Sequence, residues 1–489
     1  MSYVEENVIK SQSASFDVKE EEKLKSSNIE NEEINHVEKA GSVGSSESTA
    51  KTNTLTPSEK DVEKATAQLP PVVEEEGPDG GYGWFVVLGA FSVQITSFGV
   101  VSSWGKQYTE QNMQCRVMQD YFHQNMFADN PKALVDLSFV GTLALVFING
   151  ASPIVQVFVA RFGLRPVMIV GTLFITIALE MAGFASQIWH LYLTQGILFG
   201  LGASCMYGTV MAVTPQWFTK NRGIALGIVA GGSGIGGLVV PFIVTPLNRN
   251  LGPGWTYRIL GFICLACDIL ACVFVKERIV RKKEKKSISQ LIPFGVLKNK
   301  NFLLFSIASD IGLFGYFVPF FFLPAYATYL GMSDSQGSAL IAVCSSMNFV
   351  GRLAAGALAD RIGRLNSNII FTLLTAISCL LIWTFAFDYS SLMGFSAVFG
   401  FGCGSYFALM SPIAANLLGM EQLPSGLSLL LFLNMIPVFG SNIASAIETG
   451  VSSAPFFSYK MFAGVAWLIG AILLILLKFK INRNPFVNI

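Results

Sequence analysis

The sequence predicts an all-α membrane protein, with twelve transmembrane helices in two six-helix halves behind a disordered N-terminal tail. Three observations predict it. Of 489 residues, 52% are hydrophobic and only 13% are charged, and the mean hydropathy of +0.53 is one that water-soluble globular chains do not reach. From Trp84 onward apolar stretches recur, each long enough to cross a hydrocarbon layer of roughly 30 Å at about 1.5 Å per helical residue. The string ARFGLR at 160–165 returns as ADRIGR at 359–364, which marks two related units of the same orientation with a central path between them.

The tail comes first. Residues 1–77 are rich in Ser, Glu, Lys and Asn and carry Phe16 as their one large aromatic besides Tyr3. Such a segment cannot bury enough surface to offset the entropy of ordering, so it reads as a disordered acidic cytoplasmic tail. Residues 1–79 hold 18 acids and 8 bases, against 14 and 25 in the remainder. The net charge of +1 therefore sums two opposite objects, and it supports no nucleic-acid partner. A cationic start followed by a short apolar core is missing, so the tail is not a secretory signal.

The N-terminal half, 78–275, contains apolar spans at 84–104, 134–159, 166–186, 190–213, 223–247 and 258–275. After a basic linker, 276–300, the C-terminal half, 301–478, contains spans at 302–329, 336–359, 366–387, 391–418, 423–447 and 460–477, and 479–489 forms the C-terminus. A backbone in lipid must satisfy its own hydrogen bonds, and spans this long exclude a barrel of roughly ten-residue strands. Of the 25 bases after the tail, 18 fall in the even-numbered loops and the C-terminus, six fall in the odd-numbered loops, and Arg352 lies inside a span. That asymmetry predicts both termini in the cytoplasm. The linker reads as a solvated loop against anionic headgroups of the membrane lipid.

Catalysis and metal binding have little to work with. Cys205, Cys264, Cys267, Cys272, Cys344, Cys379 and Cys403 lie in apolar runs, and His36, His123 and His190 are scattered. Neither a disulfide framework, a zinc site nor a His-based triad has its ligands, so the expectation is a non-enzyme with no cofactor.

Motifs sharpen the class. GALADRIGR (356–364) closes span eight with glycine for close helix approach, Asp360 to stabilise a neighbouring helix N-terminus, and Arg361 and Arg364 at the membrane face. It resembles the loop signature of the major facilitator superfamily. Its charges, together with Arg161 and Arg165 of the first copy, are candidates for a gating latch, lopsided because Ala160 stands where the second copy has Asp360. PDGGYGWFVVLGAF (78–91) leads into span one, where the glycines permit a tight turn and Tyr82 and Trp84 supply interfacial anchors. This string resembles the signature of the monocarboxylate transporters, as do RFGLRPVMIVG after span two and WFTKNRGIALGIVAGGSGIGG (217–237) into span five. The resemblance covers about residues 78–478 and is nearest to the yeast homologues, which share a long acidic N-terminus. The glycines of span five fall on two stripes, Gly223, Gly227 and Gly231, then Gly232 and Gly236, which predicts close packing against other helices and not a dinucleotide loop.

Ionisable groups inside spans carry the functional expectation, because each costs at least roughly 2.5 to 3.5 kcal/mol at a helix centre and survives facing a cavity or a partner. Arg352 in span eight is the leading substrate-binding residue, since a guanidinium forms a bidentate pair with a carboxylate and stays charged. The resemblance implies an acid one turn earlier, but Asn348 stands there, and a lysine in span one, where Ser102 or Ser103 stands and Lys106 lies beyond. Asp310 in span seven is expected as Arg352's counter-ion or as a relocated proton site, and Asp268 in span six as a second proton or polar site. Glu180 sits toward the outer end of span three, and Glu448 reads as solvated at the end of span eleven. Pro319 and Pro324 should let the outer part of aromatic-rich span seven bend.

The resulting reading is a secondary transporter of a small organic solute, by resemblance a monocarboxylate, symported with protons, in the plasma or vacuolar membrane. Two alternatives stand beside it: a facilitator of another metabolite such as a vitamin, and a non-transporting nutrient sensor signalling through the tail. The Ser-rich, Lys-bearing tail also offers acceptor sites to kinase and ubiquitin machinery.

Overall fold

The computed structural model describes residues 79–102, 104, 118, 122, 126–127, 133–279, 294–451 and 455–482. The acidic tail, most of the linker, Lys106 and the last residues of the C-terminus lie outside the described residues. All described residues belong to one unit, Glu75–Ile489, and every regular element among them is helical.

Among the described residues, eight stretches are long and apolar enough to cross a membrane, and the bent pair around Ala151 makes a ninth. Two of them, Arg222–Phe274 and Tyr389–Gly450, each contain a left-handed glycine, Gly252 (φ 78°) and Gly419 (φ 76°), where the chain reverses. The reversal at Gly252 is visible along span one. Gly232 and Gly236 approach Phe91 and Gly99 in parallel order, whereas Asp268 and Ala271 approach Thr96 and Gly89 in antiparallel order. Each of these stretches therefore supplies two crossings. The helical run 83–102 completes the twelve.

Spans one, four, seven and ten are each interrupted partway. Span one runs Gly83–Gln94, then a π-helical turn Ile95–Gly99. Span four carries a π-helical stretch Tyr192–Leu198 before Phe199–Val213. Span seven breaks between Lys300–Leu313 and Phe317–Tyr329, just ahead of Pro319, whose missing N–H leaves the Gly315 carbonyl without a helical partner. Span ten breaks at Gly404, between Tyr389–Cys403 and Ser405. Spans two, nine and eleven are interrupted as well, by a bend at Ala151, a π-helical stretch Ser378–Trp383 and a break between Leu433 and Gly440. Such breaks are tolerated where neighbouring protein covers the backbone.

The glycine stripes of span five face two different helices. A Cβ at Gly223 or Gly356 would overlap the other's carbonyl oxygen, one at Gly227 would lie 2.7 Å from the Arg352 carbonyl oxygen, and one at Gly231 would meet Phe349 at 2.8 Å. That stripe receives span eight, Asp334–Ile362, and joins the halves. Gly232 and Gly236 receive span one, with Cβ atoms that would fall 2.5 Å from the Phe91 carbonyl oxygen and 2.8 Å from the Gly99 Cα. Large apolar side chains such as Phe242 and Phe385, 64% and 69% exposed, cover the outside, as a lipid-facing surface requires.

Two loop assignments are corrected. Arg258 lies within Arg222–Phe274 and stacks over Phe184 (4.6 Å) and Trp255 (5.0 Å). Lys460 lies in the first turn of span twelve, Phe457–Ile481, with Nζ 3.9 Å from the Tyr326 ring centre. Both find aromatic faces that let a cation sit inside a helix end.

Candidate functional site

Span eight begins at a capping box, in which the Ser333 side chain accepts from the Gln336 backbone and the Gln336 side chain accepts from Ser333. The helix so started carries Asn348 and Arg352 on one face, one turn apart. Arg352 is 5% exposed and points inward. Its Nη1 donates to the Ala230 carbonyl oxygen of span five at 2.6 Å and to the Ser233 hydroxyl. Nη2 lies 3.5 Å from the Tyr316 hydroxyl of span seven, and the guanidinium carbon sits 5.2 Å over the Phe407 ring of span ten. Nε has no hydrogen-bond partner. Gly404 makes the arrangement sterically feasible, because a Cβ there would stand 2.7 Å from both Arg352 Nε and Asn348 Oδ1.

Asn348 shares this surrounding. Its Nδ2 faces Cys403 Sγ at 3.1 Å and the Tyr316 hydroxyl at 3.5 Å, while its Oδ1 is unpartnered. A neutral amide stands where the family resemblance implied an acid, so Arg352 has no carboxylate one turn away.

Asp310, expected as a counter-ion or a proton site, is hydrogen-bonded elsewhere. The hydrogen bonds of Arg352 go to Ala230, Ser233 and Tyr316, and Asp310 takes a different partner. With the Asn434 amide nitrogen facing it, Asp310 Oδ1 accepts at 2.9 Å, and Asn434 Oδ1 accepts from the Tyr406 hydroxyl at 3.2 Å. Among the described residues, Arg352 and Asp310 therefore take separate partners. Asp268, fully buried, lies elsewhere, between spans six and one, where Thr96 donates to its Oδ1 at 2.8 Å and its Oδ2 has no partner.

The latch candidates divide. Asp360 Oδ1 accepts from the Gly223 N–H (2.7 Å) and Oδ2 from the Ile224 N–H (2.8 Å), the expected carboxylate at the N-terminus of span five. Arg364 reaches the Asn416 side chain and the Thr219 carbonyl oxygen (3.3 Å), while Arg361, Arg161 and Arg165 are exposed. The same helix end has a second carboxylate that the sequence reading passed over. Asp79 accepts from the N–H groups of Thr219 (2.8 Å), Lys220 (2.9 Å) and Asn221 (3.1 Å) and from the Thr219 hydroxyl (2.7 Å). Desolvation pushes the Asp79 carboxyl up, but these donors, Lys220, Thr219 and Asn221 together, outweigh it and hold the group down at about 2. The two signature strings thus dock onto each other, and Tyr82 adds a hydrogen bond to the Phe274 carbonyl oxygen (3.0 Å). The acid in PDGG was the available signal.

The bonds from Asp360, Arg364 and Arg352, with Ser411 donating to the Met211 carbonyl oxygen (2.9 Å), join the halves between the midplane and the end that bears the linker. These bonds hold the halves together at the linker end. Glu448, read from the sequence as solvated, instead accepts from the Ser458 N–H (3.1 Å) and caps span twelve. Sequence reasoning also missed Tyr406, Phe407 and Asn434, because uncharged polar and aromatic residues in apolar runs raise no signal above packing.

The family description "Major Facilitator Superfamily" matches residues 82–442. Among curated relatives, the Fujikurins efflux protein of Gibberella fujikuroi is 30% identical over 82% of this chain and 84% of its own length. The MFS transporter asaE of Aspergillus flavus is 29% identical over 81% and 87%. Among solved structures, the transporter FucP in an outward conformation superposes with a TM-score of 0.59 at 12% identity, over 80% of this chain and 97% of FucP. The human organic anion transporter MFSD10 does so with 0.59 at 15%, over the same shares. At such identities the structures establish the fold alone.

Proposed function

The chain belongs to the Major Facilitator Superfamily, as a multi-pass membrane transporter, and we propose that it moves a small organic anion, a monocarboxylate or a related acidic metabolite, by alternating access of its midplane site. One observation carries the reading: the buried guanidinium of Arg352, inside the bundle, is held by a neutral carbonyl and a hydroxyl of the opposite half and, among the described residues, by no carboxylate. A carboxylate is a stronger partner for guanidinium than either. Substrate arriving at Arg352 therefore competes with Ala230 and Ser233, loosening a bond between the halves as it binds. Binding and opening share one group, which is what alternating access needs. Asp360 and Arg364 act as the latch that releases when the linker end opens.

Relatives named as efflux proteins for fujikurins and agnestins favour cargo other than lactate, and the absence of the lysine expected in span one agrees. The excess of basic residues on the linker end orients it toward the cytoplasm, so the end at which the halves are bonded together is the inner one, in the plasma or vacuolar membrane. Asp268 and Asp310 are the carboxylates able to carry a coupled proton.

Flux into vesicles holding purified protein tests this. Arg352→Gln should cut uptake of organic acids at least about a hundredfold, the scale of losing one charge-assisted pair at a buried site. Undiminished flux in that variant would sink the reading. An imposed pH gradient should accelerate wild-type uptake, and Asp268→Asn or Asp310→Asn should abolish the acceleration; indifference to the gradient leaves a facilitator in place of a symporter.

A further inference from the structure

Resting on the transporter reading, we propose that Asp268, and not Asp310, is the site of the coupled proton, and that the proton it binds fastens the π-helical turn of span one to span six. The observation is a hydrogen count at Thr96. Its Oγ1 lies 2.8 Å from Asp268 Oδ1 and 3.1 Å from the Val93 carbonyl oxygen, both of them acceptors when the carboxyl is ionised. A hydroxyl carries one hydrogen. With an ionised carboxylate, one of the two contacts therefore holds no hydrogen. A proton on Oδ1 makes both of them hydrogen bonds, Asp268 donating to Thr96 and Thr96 to Val93.

The surroundings offer nothing to balance a charge. Asp268 is fully buried and its Oδ2 has no partner, so a carboxylate there has Thr96 as its sole donor among the described residues, and a lone buried charge is costly. Span six packs on spans one and three, where Gly89 abuts Ala271 and Gly261 abuts Leu179. Span one has no ionisable side chain from Gly83 to Ser102. Span three brings Arg165, exposed at the linker end, and Glu180, beside Gly261 and about two helical turns from Asp268. Span four meets span six farther out, where the Tyr257 hydroxyl donates to Gln195. The groups that interact with Asp268 on its own span are the thiols of Cys264, Cys267 and Cys272. Asp310, by contrast, has the Asn434 amide as its donor, and no hydrogen is missing there.

The position ties the proton to conformation. Thr96 belongs to the turn Ile95–Gly99, whose other side rests on span five: a Cβ at Gly236 would fall 2.9 Å from the Ile95 carbonyl oxygen and 2.8 Å from the Gly99 Cα. A π turn interrupts the regular α-helical pairing and recurs at functional positions. With the proton bound, this turn is gripped from both sides. Once the proton leaves, the carboxylate needs donors that spans one and three do not supply, so water must enter and the turn must part from span six. Asp268 is the proton site, and Thr96 is its positioning residue.

Infrared difference spectra of full-length protein in lipid at neutral pH read the proton directly, since a carboxylic acid has a C=O stretch that a carboxylate lacks. The wild type should show an acid band that Asp268→Asn removes and Asp310→Asn leaves. Thr96→Val should shift that band, having taken away its partner. Asparagine at 268 still donates to Thr96, so that variant keeps the contact between the spans. A spectrum unchanged by Asp268→Asn, or a band that Thr96→Val leaves in place, overturns the site. In vesicles, a pH gradient should accelerate organic-acid uptake by the wild type and by Asp310→Asn but not by Asp268→Asn; acceleration retained in Asp268→Asn overturns the coupling. No uptake by the wild type overturns the transporter reading and the coupling with it, an outcome that the infrared band, recorded without transport, tells apart from an absent proton.

Discussion

The turns that follow spans two and eight share a backbone but not a task. Gly163 and Gly363 both sit in the left-handed region, at φ 92° and 95°, and each closes one helix while opening the next. In the second copy Asp360 takes two N–H groups of span five and Arg364 crosses to Asn416 and Thr219. In the first copy Ala160 has no carboxylate to offer, and Arg161 and Arg165 are exposed. The difference separates two kinds of information. A glycine is enough to specify the turn, whereas a latch also requires a charged group aimed at the partner helix. The same string can encode the first without the second.

The comparison breaks most sharply at the crossing beneath the second turn. Gly223 and Gly356 meet with no space for a Cβ, and the Asp360 bonds depend on that closeness. Gly356→Val should force spans five and eight apart at a cost of about 1 to 3 kcal/mol or more against the bonds that hold the linker end. The expected readout is a drop in transport of about tenfold to a hundredfold, together with faster alkylation of a cysteine placed at Ser411, which now bonds Met211. Wild-type flux in this variant would mean that the crossing opens and shuts without the glycine contact.

Asp360→Asn is the next step down. It keeps the shape, removes the charge and turns one of the two accepting oxygens into an N–H donor, so one bond to span five weakens and the other is lost, at a cost of about 1 to 2 kcal/mol because Asp79 still caps residues 219–221. The linker end should open about five- to thirtyfold more often, read by the same alkylation assay.

How much of this could be read beforehand depended on the size of the physical signal. Twelve crossings were legible because a hydrocarbon layer imposes a length, and the two glycine stripes because helices that touch need small residues at fixed spacing. Gly231 and Gly232 are adjacent in sequence yet face different helices, as their stripes required. Arg352 and Asp310 were legible as charges in apolar runs, but their relation was not. Nothing in the chain says that Asn434, over a hundred residues from Asp310, takes the place expected of Arg352. Asp79 was visible in its signature as an acid and invisible as a cap, since its partners at 219–221 lie far along the chain. Long-range polar partnerships leave no period and no composition shift.

The smallest expected effect lies in the first turn, and it bears most directly on whether the two copies differ in kind. Arg161 has its guanidinium 5.6 Å from the neighbouring Phe162 ring, and both Arg161 and Arg165 are exposed at the linker end. An exposed base of this sort is screened and gains little from any partner. Arg161→Ala and Arg165→Ala should each change transport by less than about twofold, within the roughly 0.5 kcal/mol typical of surface substitutions. Cysteine accessibility at Ser411 should stay as in the wild type. A tenfold loss at either position would instead place the first turn in the latch, so that the halves would be held symmetrically by contacts formed in another conformation.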